Sequence, residues 1–214
     1  SDDLFSDYFK ALNKQIRENS QKVKLIDTIF IGGGTPSYVP EKYIEEIINN
    51  IKNNYLLTDD CEISIESNPD SLNRNKLATY RDLGINRLSI GVQTFNDKIL
   101  KILGRAHDSK TALKRIEDAK NAGFNNINAD LMFSLPTEDL HTLEKDLDIL
   151  TSEQISHISA YSLIVEENTR FSDFYKYGTY VYDDGLDREM YHFAKKYLSA
   201  EGYEQYESVR PVSE

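Results

Sequence analysis

The chain has 214 residues, 39% of them hydrophobic, enough for one substantial core in a globular protein. A net charge of −11 argues against a nucleic-acid partner, and no apolar run approaches the roughly 20 residues of a membrane span. A single cysteine, Cys61, excludes an internal disulfide and points to a reducing, cytoplasmic setting. No secretory apolar segment opens the chain, and Ser1-Asp2-Asp3 lacks an initiator Met, so a piece cut from a longer protein is expected.

In chain order, Phe5, Tyr8, Phe9, Leu12 and Ile16 recur at helical spacing. Thr28-Ile29-Phe30-Ile31 reads as a buried strand that runs into three consecutive glycines and Thr35-Pro36. Ile44, Ile47, Ile48 and Ile51 mark a second helix, entered through Pro40-Glu41. Glu62 to Glu66 alternates as a strand and stops at Asn68-Pro69. Leu77, Tyr80 and Leu83 give a helix ended by Gly84, and Ile85 to Gln93 a strand. Leu113, Ile116 and Ala119 give a helix ended by Gly123, and Phe124 to Phe133 a strand closed by Pro136. Leu140, Leu143 and Leu147 form the next helix, and His157 to Val165 the last clear strand. A tyrosine-rich loop follows, then a helix through Met190, Tyr191, Ala194, Tyr197 and Leu198, ended by Gly202. Strand and helix alternate, which specifies a parallel sheet with helices outside it. The pair "RDLGINRL" and "KNAGFNNI" is a weak internal repeat of that unit. No linker divides the chain.

Polar residues gather where strands end. The first strand ends in Gly32-Gly33-Gly34-Thr35, the second at Glu66 and the third at Gln93. The fourth carries Asp130 inside an apolar run, and the fifth ends near Tyr161 to Ile164. In a barrel of parallel strands, active sites are built at the carboxyl ends. Each residue taken alone could merely cap an element. Four on successive strands point to a site, because buried charge is rare without a role. The glycine loop matches neither a dinucleotide fingerprint nor a P-loop, and a phosphate nest stays open. His107, His141, His157 and His192 are scattered and read as surface or turn residues. Cys61 reads as a packed thiol, and no metal-ligand set is visible.

Six motifs occur in order: "FIGGGTPS", "EISIESNPDSL", "GINRLSIGVQTFND", "LGRAHD", "NINADLMFSLP" and "GYEQYE". Together they closely resemble the oxygen-independent coproporphyrinogen III oxidase-like proteins of the radical S-adenosylmethionine superfamily, from about Asp27 to Glu207. "ESNP", "LGRAHD" and "GYEQYE" are similar to the heme chaperone branch rather than the oxidase branch. The resemblance implies an α/β fold, a partial (β/α)6 TIM-like barrel of parallel strands with outer helices, here lacking the first strand and the cluster loop. It implies a core over residues 1–207, with 208–214, "SVRPVSE", as a truncated or foreign tail.

The resemblance also implies two cofactors, S-adenosylmethionine and a [4Fe-4S] cluster. The family holds the cluster by a C-x3-C-x2-C loop, which these residues do not contain, so this chain alone is expected to be inactive. Carried over residue by residue, Gly33, Gly34 and Thr35 would line the methionyl amino group, and Glu66 would accept hydrogen bonds from the same ligand. Arg105 would pair with its carboxylate. Gln93 and Asp130 would hold ribose hydroxyls, and Ile164 would pack on adenine. The implied partners are heme or a porphyrin and a heme-acceptor protein. The expected function is heme trafficking. The alternatives are oxidative decarboxylation of coproporphyrinogen III to protoporphyrinogen IX, and, outside the family, a phosphate-binding barrel enzyme. Ser134 stands where the family usually has glycine. Tyr175, Tyr177, Tyr180 and Tyr182 read first as loop packing, and only second as a porphyrin-stacking surface.

Overall fold

The computed structural model describes residues 2–22 and 25–206. Five strands form one sheet: β1 (Leu25–Ile31), β2 (Leu56–Ser67), β3 (Arg87–Gln93), β4 (Asn126–Phe133) and β5 (His157–Ser162). Their order in the sheet is their order in the chain, and the pairs β1–β2, β2–β3 and β4–β5 are parallel. Helices α1 (Asp2–Asn19), α2 (Glu41–Asn54), α3 (Arg74–Asp82), α4 (Asp97–Ile102), α5 (Ser109–Asn121), α6 (Leu140–Ser152), α7 (Arg170–Lys176) and α8 (Asp184–Ala200) lie between and around them.

Several elements differ from the sequence reading. β1, read as a buried strand, leaves Phe30 61% exposed. β2 begins at Leu56, six residues before Glu62, because Leu56 and Leu57 pair with Leu25 and Ile26 across a register shift. β5 stops at Ser162, although Leu163 N still donates to Phe133 O at 3.0 Å. The tyrosine-rich loop contains α7, started by Thr169, whose side chain accepts from Ser172 N. The short α4 has the same kind of start at Asn96. The expected tail over 208–214 lies outside the described residues.

Contacts divide the chain into two compact units. One comprises residues up to Ile90 with Lys114–Ile127; the other comprises Gly91–Leu113 with the chain from Asn128 onward. In the first, the apolar stripe of α1 packs on α2. Phe9 stacks on Tyr43 at 4.8 Å between centroids, with Ile47, Leu12 and Ile16 around them. Asn50 secures the pair through its amide, which donates to Asn13 O and Oδ1 at 2.9 and 2.8 Å. Ile63 and Ile65 of β2 are buried, and Asp118 of α5, 1% exposed, accepts from Arg74 Nε at 2.8 Å and Arg115 Nη1 at 2.6 Å.

In the second unit, β4 and β5 pair from Asn128↔His157 to Phe133↔Ser162. Leu143, Leu147 and Leu150 of α6 are buried, and α8 turns Met190 and Ala194 inward. The Tyr197 hydroxyl donates to Asp148 between these helices, and Tyr203 OH donates to Ile155 O at 2.5 Å.

Candidate functional site

In the first unit the glycine loop leaves β1 beside the end of β2. Gly33 N donates to Glu66 Oε2 at 3.1 Å, so the strands' ends are joined through two of the predicted residues. The three glycines answer different demands. Gly33 and Gly34 have φ of +90° and +64° with open space where a side chain would stand. A side chain at Gly32 would meet the Phe30 ring at 2.6 Å and Glu66 Oε2 at 3.1 Å. Backbone conformation and the protein's own neighbours therefore account for the glycines; both Gly33 and Gly34 remain exposed.

Sequence reasoning missed what holds this loop. Asn68 Nδ2 donates to Thr35 Oγ1 and Asn68 N donates to Ser37 Oγ, both at 3.1 Å. Lys76, 8% exposed, donates to Ser37 O at 2.5 Å and to Val39 O at 3.3 Å. A buried ammonium is tolerated because two carbonyl oxygens replace its water. The available signal is "ESNP": an amide placed directly after the last strand residue reaches the neighbouring loop.

In the second unit, Gln93 closes β3 in the left-handed region, φ +69°, and is buried. Such a conformation costs of order 1–3 kcal/mol in a residue with a side chain and persists only where neighbours impose it. Here they do. Asp146 Oδ1 accepts from Phe95 N at 2.9 Å, and His107 Nε2 sits 3.2 Å from Val92 O. His107 is thus a buried residue that braces the end of β3, against the sequence reading of a surface or turn histidine. Tyr161 OH donates to Gln93 Oε1 at 3.4 Å, bringing the ends of β3 and β5 together.

Asp130 is half-buried, and Asn128 Nδ2 donates to its Oδ1 at 2.7 Å. Asn128 in turn accepts from Ser159 Oγ at 3.0 Å and from His157 Nδ1. His157 is therefore half-buried and engaged, another departure from the surface reading. The signal for Asn128 was present: residues two apart on a strand share a face, so Asn128 lies on the side of Asp130. Arg105 is half-buried beyond Gly104, and among the described residues its guanidinium has no ion-pair or hydrogen-bond partner. Ile164 is 65% exposed just past β5.

Ser134 sits at φ +57°, the conformation a glycine would adopt freely, and its hydroxyl donates to Asp187 Oδ1 of α8 at 2.5 Å. Tyr175 and Tyr180 pack together, at 6.1 Å between centroids, and Tyr180 meets Phe174 edge-on at 5.7 Å. Tyr177 is 76% exposed. Cys61 is buried, with burial first and then Asp27 and Asp60 pushing its thiol up, so it is the packed thiol expected.

The model of the radical SAM superfamily matches residues 6–150. The heme chaperone HemW of Bacillus subtilis (strain 168) is 37% identical over 205 residues, covering 94% of this chain and 54% of that protein. The heme chaperone HemW of Escherichia coli (strain K12) is 34% identical over 183 residues, covering 86% and 48%. The chain thus spans about half the length of these curated relatives. Among solved structures, coproporphyrinogen III oxidase (HemN) from Escherichia coli, a radical SAM enzyme, matches with a TM-score of 0.84 at 23% identity, over 93% of this chain and 46% of that one. That likeness shows the fold, an α/β partial TIM-like barrel of parallel strands, as the sequence led us to expect. The chain belongs to the radical SAM superfamily, among its HemW/HemN-like proteins.

Proposed function

We propose that this chain is the S-adenosylmethionine-binding core of a heme-handling protein of the HemW kind. The observation that carries the reading is the 37% identity, over 94% of the chain, to a protein named a heme chaperone. The residues suit the ligand. Gly33 and Gly34 offer exposed backbone beside half-buried Thr35, and Glu66 a carboxylate for an ammonium group. Arg105 offers an uncommitted guanidinium, which suits a carboxylate. Gln93 and Asp130 provide acceptors for ribose hydroxyls, and Ile164 an exposed apolar surface for adenine. The first four belong to one unit and the rest to the other, and the family is what assigns them to one ligand.

The cluster does not fit these residues. They include one cysteine, buried on β2, and a [4Fe-4S] cluster needs several thiolates. The radical SAM family implies both cofactors. The proposal extends to a single core over residues 1–207, a cytoplasmic location and a protein that accepts the heme; among the described residues, no helix is long and apolar enough to cross a membrane. The family match displaces the phosphate-barrel alternative. Coproporphyrinogen III decarboxylation stands as the activity of a related family whose likeness here is one of fold.

Two experiments on the native protein that carries this sequence test the proposal. Calorimetry of S-adenosylmethionine binding should show Arg105→Ala and Asp130→Ala each at least tenfold weaker, since removing a charged partner from a desolvated site costs about 2–5 kcal/mol. Unchanged affinity in both sinks the site. A heme titration in the Soret band should reach stoichiometry while coproporphyrinogen III is hardly converted. Multiple-turnover decarboxylation without heme binding overturns the chaperone reading.

A further inference from the structure

We propose that Asn128 and His157 are positioning residues that fix the orientation of the Asp130 carboxylate, and that the Tyr206 hydroxyl locks them from the far side. This inference rests on the assignment of Asp130 to the nucleoside. The direction of every hydrogen bond follows from one constraint. Asp130 Oδ1 lies 2.7 Å from the Asn128 amide and can only accept when ionised, so the Asn128 Nδ2 end must face it. Asn128 Oδ1 therefore faces β5, where Ser159 Oγ approaches at 3.0 Å and His157 Nδ1 also approaches. An oxygen between them requires both to donate, so His157 carries its proton on Nδ1. His157 Nε2 is then the acceptor in the neutral ring, and Tyr206 OH donates to it at 2.6 Å, with the rings 5.4 Å apart.

The relay thus runs in one direction, from Tyr206 through His157 and Asn128 to Asp130. Its middle is rigid: Asn128 is 2% exposed and sits opposite His157 in the β4–β5 register. Its outer end is 75% exposed, in the segment after Gly202. A carboxylate held by a buried amide has the plane of its oxygens fixed, which sets the geometry a ribose hydroxyl meets.

The test has two readouts on the native protein. Nitrogen-edited NMR of the His157 ring, at mildly alkaline pH, should show the Nδ1–H tautomer, and Asp130→Ala or Tyr206→Phe should weaken that preference. An Nε2–H ring in the unaltered protein overturns the inference. In calorimetry with S-adenosylmethionine, Asn128→Ala should bind at least fivefold more weakly and His157→Ala about threefold, whereas His157→Gln, whose amide nitrogen can donate to Asn128 while its oxygen accepts from Tyr206, should restore affinity. If Asp130→Ala weakens binding and none of these variants does, the nucleoside assignment stands and the positioning role is lost. If Asp130→Ala itself binds normally, the assignment falls, and the ring tautomer still decides whether the relay exists. Tyr206→Phe removes one exposed hydroxyl, so it keeps the test open should Asn128→Ala fail to fold.

Discussion

Glu138 and Asp146 are carboxyl groups kept from water. Each spends one oxygen on a backbone amide, Leu135 N for Glu138 and Phe95 N for Asp146, both at 2.9 Å. The other oxygen of each, Glu138 Oε1 and Asp146 Oδ2, has no hydrogen-bond partner among the described residues. Burial, with Asp146 and Asp139 nearby, pushes Glu138 up to about 8, and burial pushes Asp146 up to about 6. Both groups hold a proton more tightly folded than unfolded. Their contribution to stability is therefore full at acid pH and is lost as pH rises through about 6 for Asp146 and about 8 for Glu138. Glu138→Gln keeps an oxygen for Leu135 N and removes the ionisation. It should flatten the denaturation profile between neutral and alkaline pH and add on the order of 2 kcal/mol at the alkaline end. A profile identical to wild type rules this out. Ser134 gives a second residue-scale test. Ser134→Ala keeps the left-handed strain and loses the bond to Asp187, so thermal melting should show a loss of about 1–2 kcal/mol. Ser134→Gly loses the same bond but relieves the strain, and should fall within about 1 kcal/mol of wild type.

At the scale of elements, the loop after β1 depends on a helix that is distant in sequence. Lys76 of α3 reaches Ser37 O and Val39 O, and Asn68 after β2 reaches Thr35 and Ser37. Lys76→Met should cost about 1–3 kcal/mol, because two buried carbonyls lose their donor. Hydrogen exchange should then quicken at residues 33–39 and leave α1 and α2 unchanged. Protection unchanged at the loop would show that Asn68 alone holds it. How much of this was legible differs by element. The helices with an apolar stripe, α1, α2, α3, α5, α6 and α8, follow from spacing, as does their alternation with strands. The six-residue extension of β2 did not, since Leu56–Cys61 has no alternating pattern and is drawn into the sheet by β1. α4 and α7 are too short for a period to show and depend on their capping side chains.

At the scale of the whole molecule, composition and family agree about what these residues can and cannot hold. One cysteine, its thiol buried and its pKa raised, does not make a cluster. Anaerobic treatment of the 214-residue chain with iron and sulfide should give no stoichiometric [4Fe-4S] absorbance. A stoichiometric spectrum would mean that other side chains supply the ligands. The charge of −11 predicts solubility and weak, salt-insensitive retention on nucleic acid, which a gel-shift at low salt checks.

The sequence by itself determined the alternation of strand and helix, the family and the identity of the strand-end residues. These depend on local period and on motifs read in order, and both are written along the chain. The tertiary structure alone decided which of those residues support one another. Glu66 meets Gly33 across 33 positions, Asp146 reaches Phe95 across 51, and Asn128 meets His157 across 29. Parallel pairing brings residues together only after an intervening helix, so their spacing in the sequence carries no period that would reveal them. The histidines show the consequence most plainly. Unremarkable in sequence, His107 and His157 become braces because the fold buries the first and half-buries the second, each beside an oxygen it can satisfy.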